Sequence, residues 1–239
     1  MWILRIDFIE ETMHNYSVVY SICIINCNLK GSDTVFLEYL NSKYGKNTPI
    51  LIENIEYERR SSSWLFKELN KLCSSGELAR FDKGVYYIPT ETVLGTSVLC
   101  AEDVIERKYI TDGASVYGYY GGIGFMNRIG LTTQVASRDT VYTNRESARK
   151  RIVKVGYLDV IVKKARVDVT KENAAVLALL ELVNDMPDWF CEDGEKRAAI
   201  AEYIKSNGIS KEEIVTYISF FPDKVSKKFI ESELVYCAS

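Results

Sequence analysis

The chain has 239 residues, of which 47% are hydrophobic and 12% aromatic, with only 4 prolines. Such a composition can bury the cores of one large or two small domains, and it excludes disordered, collagen-like and low-complexity classes. Lys and Arg number 30 against 33 Asp and Glu, a net charge of -3, so the uniformly basic make-up of histone-like proteins is excluded and any basic face must be local.

Residues 1–30 form an atypical N-terminal extension. Its apolar run, Tyr16 to Cys27, approaches the core of a signal peptide in length, but Arg5 is the lone cation ahead of it and no small-x-small cleavage site follows. A spanning helix needs roughly 20 apolar residues, so neither a leader nor a membrane anchor is expected. Composition changes at Gly31-Ser32-Asp33, where Ser32 or Asp33 reads as the N-cap of a helix carrying Val35, Phe36, Leu37 and Leu40. Translation from a non-Met codon such as that of Leu29 would account for the change.

From Asp33 the chain reads as a helix to Tyr44, a Gly45 break, a short segment from Pro49 to Ile55, and a second strong helix. Ser61-Ser62-Ser63 cap that helix ahead of Trp64, Leu65, Leu69 and Leu72, and Ser74-Ser75-Gly76 close it. Two β-prone runs follow, Leu78 to Phe81 and Val85 to Ile88, joined by Asp82-Lys83-Gly84 and stopped by Pro89. Residues 31–92 are therefore expected to form a winged helix-turn-helix of three helices and a hairpin. In that motif the last helix enters the major groove and the wing touches the flanking backbone. The expected DNA contacts are Arg59 and Arg60 before the helix, Ser61, Ser62, Ser63, Lys67 and Lys71 on it, and Arg80 and Lys83 on the wing. Winged helices also serve as protein-interaction modules, and the serines also suit plain capping. Residues 41–125 hold 10 basic and 11 acidic side chains, so one copy should bind modestly, which favours a homodimer on DNA or a second basic surface.

The middle of the chain is basic and its end acidic: residues 126–171 carry 11 cations and 4 carboxylates, whereas residues 172–239 carry 7 and 13. Arg145, Arg149, Lys150 and Arg151, with Lys163, Lys164 and Arg166, make a candidate second basic patch for nucleic acid or a partner. The spacing of Arg145 and Arg149 fits one face of a helix. A solvated surface is the alternative reading. Ala101 to Ile110 reads as a helix, and Thr140 to Tyr142, Ile152 to Val155 and Leu158 to Val162 read as strands of a mixed sheet. The glycine run from Gly118 to Gly124 matches neither nucleotide fingerprint and points to close backbone packing. Thr170 is expected to cap a helix over Lys171 to Asn184, followed by helices over Glu195 to Ser206, Ser210 to Phe220 and Asp223 to Glu233. The fold class is thus α+β: a winged helix-turn-helix, a mixed α/β part over residues 93–170 and a helical array over residues 171–239.

Catalysis is not expected. His14 is the one histidine, which argues against His-dependent hydrolases and His-ligated metal enzymes. A metal nuclease would need a carboxylate-x-Lys on a strand, but Glu106-Arg107-Lys108 falls in a helix and Asp159 has no such partner. The six cysteines (Cys23, Cys27, Cys73, Cys100, Cys191 and Cys237) lack zinc spacing and suit a reducing cytoplasm. No metal or cofactor is expected.

Five segments carry a resemblance: Gly76 to Arg80, Gly84 to Pro89, Gly130-Leu131-Thr132-Thr133-Gln134-Val135, Val141-Tyr142-Thr143-Asn144 and Lys163 to Arg166. Over about residues 33–185 the chain resembles the AbiEi-type antitoxins of bacterial abortive-infection systems. The resemblance implies a DNA-binding domain that represses its own promoter, and a C-terminal domain that counteracts a nucleotidyltransferase toxin without necessarily touching it. A stand-alone regulator or interaction module with no toxin is the other reading, and the neighbouring gene separates the two.

Overall fold

The computed structural model describes residues 32–58, 60–93, 95–187 and 193–238. The N-terminal extension, Arg59 and Cys191 lie outside them. The fold is mixed α+β, and the chain divides into two compact units between Leu99 and Cys100. Among the described residues no helix is long and apolar enough to cross a membrane, and no cluster of His, Cys, Asp and Glu is arranged to hold a metal ion.

In the first unit, α1 (Ser32–Tyr44) and α2 (Ser62–Ser75) pack over a three-stranded sheet of β1 (Ile50–Leu51), β2 (Ala79–Asp82) and β3 (Val85–Tyr87). The strand order is β1-β3-β2, all antiparallel. Ser61 caps α2, its hydroxyl accepting from Trp64 N at 3.3 Å, and Gly76 ends it at φ 81°, a left-handed conformation that a side chain would resist. Leu65, Leu69 and Leu72 recur at helical spacing and bury against Phe36 and Leu40 of α1 and against Ile50, Leu78 and Tyr86. Each such leucine contributes about 1.5–3 kcal/mol by leaving water. The helix expected between α1 and α2 reduces to a single 3-10 turn, Ile52–Asn54, preceded by β1. Pro49 biases the chain before it toward extended backbone, and β-branched Ile50, Ile52 and Ile55 favour the same. A small hairpin, β4 (Glu91–Thr92) and β5 (Gly95–Thr96), completes the unit.

The second unit is built on a four-stranded mixed sheet of β6 (Gly118–Gly121), β7 (Asp139–Thr143), β8 (Arg151–Val155) and β9 (Leu158–Lys164), in the order β6-β7-β9-β8. The β7 and β9 pair is parallel and the other two pairs are antiparallel. Helix α3 (Ala101–Tyr109) contacts β7 and β8, and α4 (Gly122–Arg128) contacts β6 and β7. Tyr119 and Tyr142 of the sheet share one core with Phe125 and Met126 of α4 and with α5 (Ala174–Asp185), α6 (Gly194–Ser206), α7 (Lys211–Ile218) and α8 (Asp223–Glu231). At the outer strand β8, Arg151, Ile152 and Lys154 are exposed.

The glycine run does serve close packing: a Cβ on Gly118 would stand 2.0 Å from Tyr109 O and 2.7 Å from Tyr142 O. Helix α5 starts at Ala174, later than Lys171, because Asn173 folds back upstream. Its side chain accepts from Thr170 N at 2.8 Å and donates to Asp168 O at 2.9 Å. The helix expected to align Arg145 and Arg149 is absent. Thr143 Oγ1 accepts from Arg145 N at 3.2 Å, and Glu146 Oε1 accepts from Ser147 N and Ala148 N at 3.0 Å. Local side-chain acceptors thus replace the i to i-4 ladder, and residues 144–150 form turns and bends.

Candidate functional site

The first unit presents one helix face to solvent. The apolar stripe of α2 turns Ser63, Phe66, Lys67, Asn70, Lys71 and Ser74 outward, all exposed and all on one side by the 3.6-residue period. Phe66 is 50% exposed, which is unusual for a large aromatic in a unit with its own core. No carboxylate shares this face, since Glu68 lies off it and is half-buried. The sequence reading missed Phe66 and Asn70, although their offset from Leu65, Leu69 and Leu72 marks them in the sequence.

The other residues nominated in this unit divide. Ser61 spends its hydroxyl on the cap, whereas Ser62 and Ser63 are exposed beyond it. Arg60 lies 5.3 Å over the Trp64 ring and pairs with Glu58 at 3.0 Å, so it is oriented from within the unit. Arg80 Nε donates to Asp82 O at 3.3 Å, and Lys83 sits at the exposed tip of the β2–β3 turn, where Gly84 takes φ 76°. Arg59 lies outside the described residues.

In the second unit the basic residues fall into two sets. Arg145 lays its guanidinium 3.5 Å over the Tyr117 ring and donates to Lys108 O at 3.3 Å. Arg151 is bound to Glu146, with Nη2 to Oε2 at 2.6 Å. Burial works against the Glu146 carboxylate, but hydrogen bonds from Ala148 N, Arg151 and Ser147 N outweigh it and hold its carboxyl below the usual range. Both arginines are thus engaged by partners within the second unit, and neither lines the cleft that the other five share.

The remaining five, Arg149, Lys150, Lys163, Lys164 and Arg166, line a single cleft of about 760 Å³ together with Tyr142, Glu181, Asn184 and Asp185. Tyr142 and Lys163 are register partners on β7 and β9, so their side chains share a face. Lys163 Nζ donates to Tyr142 Oη at 2.8 Å. Buried Thr143 holds the turn, its hydroxyl donating to Tyr117 O at 2.9 Å, while Asn144 is bonded in both directions to Val169. Lys164 N to Ala148 O, at 3.3 Å, sets the loop over the end of β9. From α5, Glu181 is 1% exposed and accepts from Arg166 Nε at 2.7 Å. Its burial outweighs the neighbouring Arg166 charge and pushes the carboxyl above the usual range. Burial likewise raises the phenol of Tyr142 well above its ordinary value, so it stays protonated. Tyr142, Glu181, Asn184 and Asp185 were not foreseen as site residues.

Residues 40–184, which include both the α2 face and the cleft up to Asn184, match the model of a protein family described as a family of unknown function (DUF6088). No curated protein matches the chain.

Proposed function

The chain belongs to that family, and we propose that it is a DNA-binding antitoxin that represses its own promoter, with a winged helix in its first unit and a second unit that opposes a nucleotidyltransferase toxin. The observation that carries the DNA part is the carboxylate-free outer face of α2. Lys67 and Lys71 suit phosphate oxygens, Asn70 and Ser63 suit base edges, and Phe66 suits a thymine methyl. The β1-β3-β2 sheet behind α2 supports the winged-helix reading, because a hairpin there projects Arg80 and Lys83 beside the helix in that motif. Ser62 and Ser63 at the start of α2 favour a phosphate near the free backbone N–H groups. The antitoxin part rests on the resemblance of the Gly130–Val135 and Val141–Asn144 segments to AbiEi-type antitoxins.

The test is binding of the full chain to the duplex upstream of its own gene. Specific binding at paired sites, weakened by Phe66→Ala and Asn70→Ala with the melting temperature unchanged, is the expected result. Equal affinity for that duplex and a random one would overturn the repressor reading. Co-expression with the neighbouring gene product tests the antitoxin part, and loss of toxicity is the result expected.

A further inference from the structure

The cleft of the second unit has a composition that the DNA reading does not use. Lys163 and Arg166 are held from within, by Tyr142 and Glu181. Among the described residues, no hydrogen bond or ion pair engages the side chains of Arg149, Lys150 or Lys164. All three are exposed and converge on one concavity. Like charges gathered in a concave wall reinforce one another's field and concentrate an anion there. One carboxylate would leave most of this charge unanswered, whereas a phosphoryl group brings up to two charges and three acceptor oxygens.

The rest of the lining has the opposite character. Asn184 and Asp185 come from the last turn of α5, with Glu181 one turn earlier, and they offer acceptors. A continuous polyphosphate backbone would meet these carboxylates with like charge. A short ligand, anionic at one end and rich in N–H or O–H donors at the other, answers both halves. The volume of about 760 Å³ lies within the range of small-ligand pockets, roughly 300–1,000 Å³.

The geometry points to a nucleoside phosphate as the ligand of this cleft. Its phosphoryl oxygens lie on Arg149, Lys150 and Lys164, and its sugar hydroxyls or base amines donate to Asp185 and to the carbonyl of the Asn184 side chain. Two sources offer this chemistry, a free mononucleotide and the phosphorylated end of a strand. The inference stands apart from the promoter-binding proposal, since none of these residues belongs to the first unit.

Calorimetric titration of the full chain with each common ribonucleoside monophosphate, with the parent nucleosides and with inorganic phosphate tests it. At least one nucleotide should bind at one site per chain, with the nucleoside and the phosphate each weaker by about tenfold or more, as expected when charge-assisted bonds are lost. The Lys150→Ala, Lys164→Ala double variant should lose about tenfold for the nucleotide with an unchanged melt. Asp185→Asn should weaken the nucleotide and leave phosphate binding alone. A phosphorylated dinucleotide that binds as well as the nucleotide would identify the strand end as the source. Absence of saturable nucleotide binding, or binding indifferent to Lys150 and Lys164, would overturn the inference. So would a longer unphosphorylated single strand that binds more tightly and is lost with the same double variant, which would make the cleft a nucleic-acid groove.

Discussion

Lys67 and Lys71 stand on a convex helix face beside Ser63, Phe66, Asn70 and Ser74, with no carboxylate among them. The cations of the second unit converge instead in a concavity that also holds Glu181 and Asp185. The first arrangement suits a long polyanion that lies along a ridge, and the second a short anion with a polar tail. By sequence the middle of the chain is the more basic region, yet Arg145 and Arg151 are spent on Tyr117 and Glu146. Curvature and the position of counter-charges, rather than the number of cations, separate the two surfaces.

The strongest way to break this comparison is to disturb one unit and read the other. Gly118→Ala places a methyl group 2.0 Å from Tyr109 O, a backbone atom that cannot step aside cheaply. A loss of at least about 3 kcal/mol is expected in the denaturant-induced transition that reports on the sheet. Promoter binding by the first unit should persist at denaturant concentrations below that transition. Simultaneous loss of both would show that the two surfaces are not independent.

Glu181 sharpens the comparison by pH. Burial raises its carboxyl above the unfolded value, so the native state holds its proton more tightly and Glu181 contributes most stability in acid. That contribution is lost as pH rises through the folded pKa, above the usual glutamate range. Glu181→Gln should flatten this part of the stability profile, whereas Glu181→Ala, which strips Arg166 of its partner, should cost about 1–3 kcal/mol at neutral pH. Melts across a pH series distinguish the two.

A smaller effect separates the convex face from its core. Lys67→Ala should weaken promoter binding and make its dependence on log salt shallower by about 0.9, the value for one lost phosphate contact. The salt slope of Lys150→Ala should equal that of the parent protein, because every promoter contact proposed above lies in the first unit. Smallest of all is the difference between two arginines. Arg149→Ala should change stability by less than about 0.5 kcal/mol. Arg145→Ala, which uncovers the Tyr117 ring, should cost about 1 kcal/mol by the same melt.

Much of the architecture was legible because its signals are local. Leu65, Leu69 and Leu72 repeat on one helix face, Gly76 and Gly84 mark a stop and a turn, and Val153 and Val155 alternate along a strand. Helix α4 was not legible, since Gly122 and Gly124 have poor helix propensity and contacts with β6, β7 and α5 hold it instead. The turn at residues 144–150 misled for the opposite reason: Glu146, Ala148 and Arg149 are good helix formers, yet Thr143 and Glu146 capture the backbone donors. Of the nominated site residues, Lys67, Lys71 and Lys83 are exposed where a helix face and a turn predict them. The cleft could not be read in advance, because Tyr142, Lys163 and Glu181 meet only through the parallel β7–β9 pairing and the return of α5.

Strand β8 closes one side of the sheet with half of its backbone groups turned away from β9. Such an edge is a template for a second copy, and edge lysines are a common deterrent to that pairing. With Arg151 paired to Glu146 and Ile152 51% exposed, Lys154, whose register partner is Asp159 on β9, is the strand's other cation. The charge at position 154 is therefore this edge's guard against pairing with a second copy, a role that the fold itself does not require.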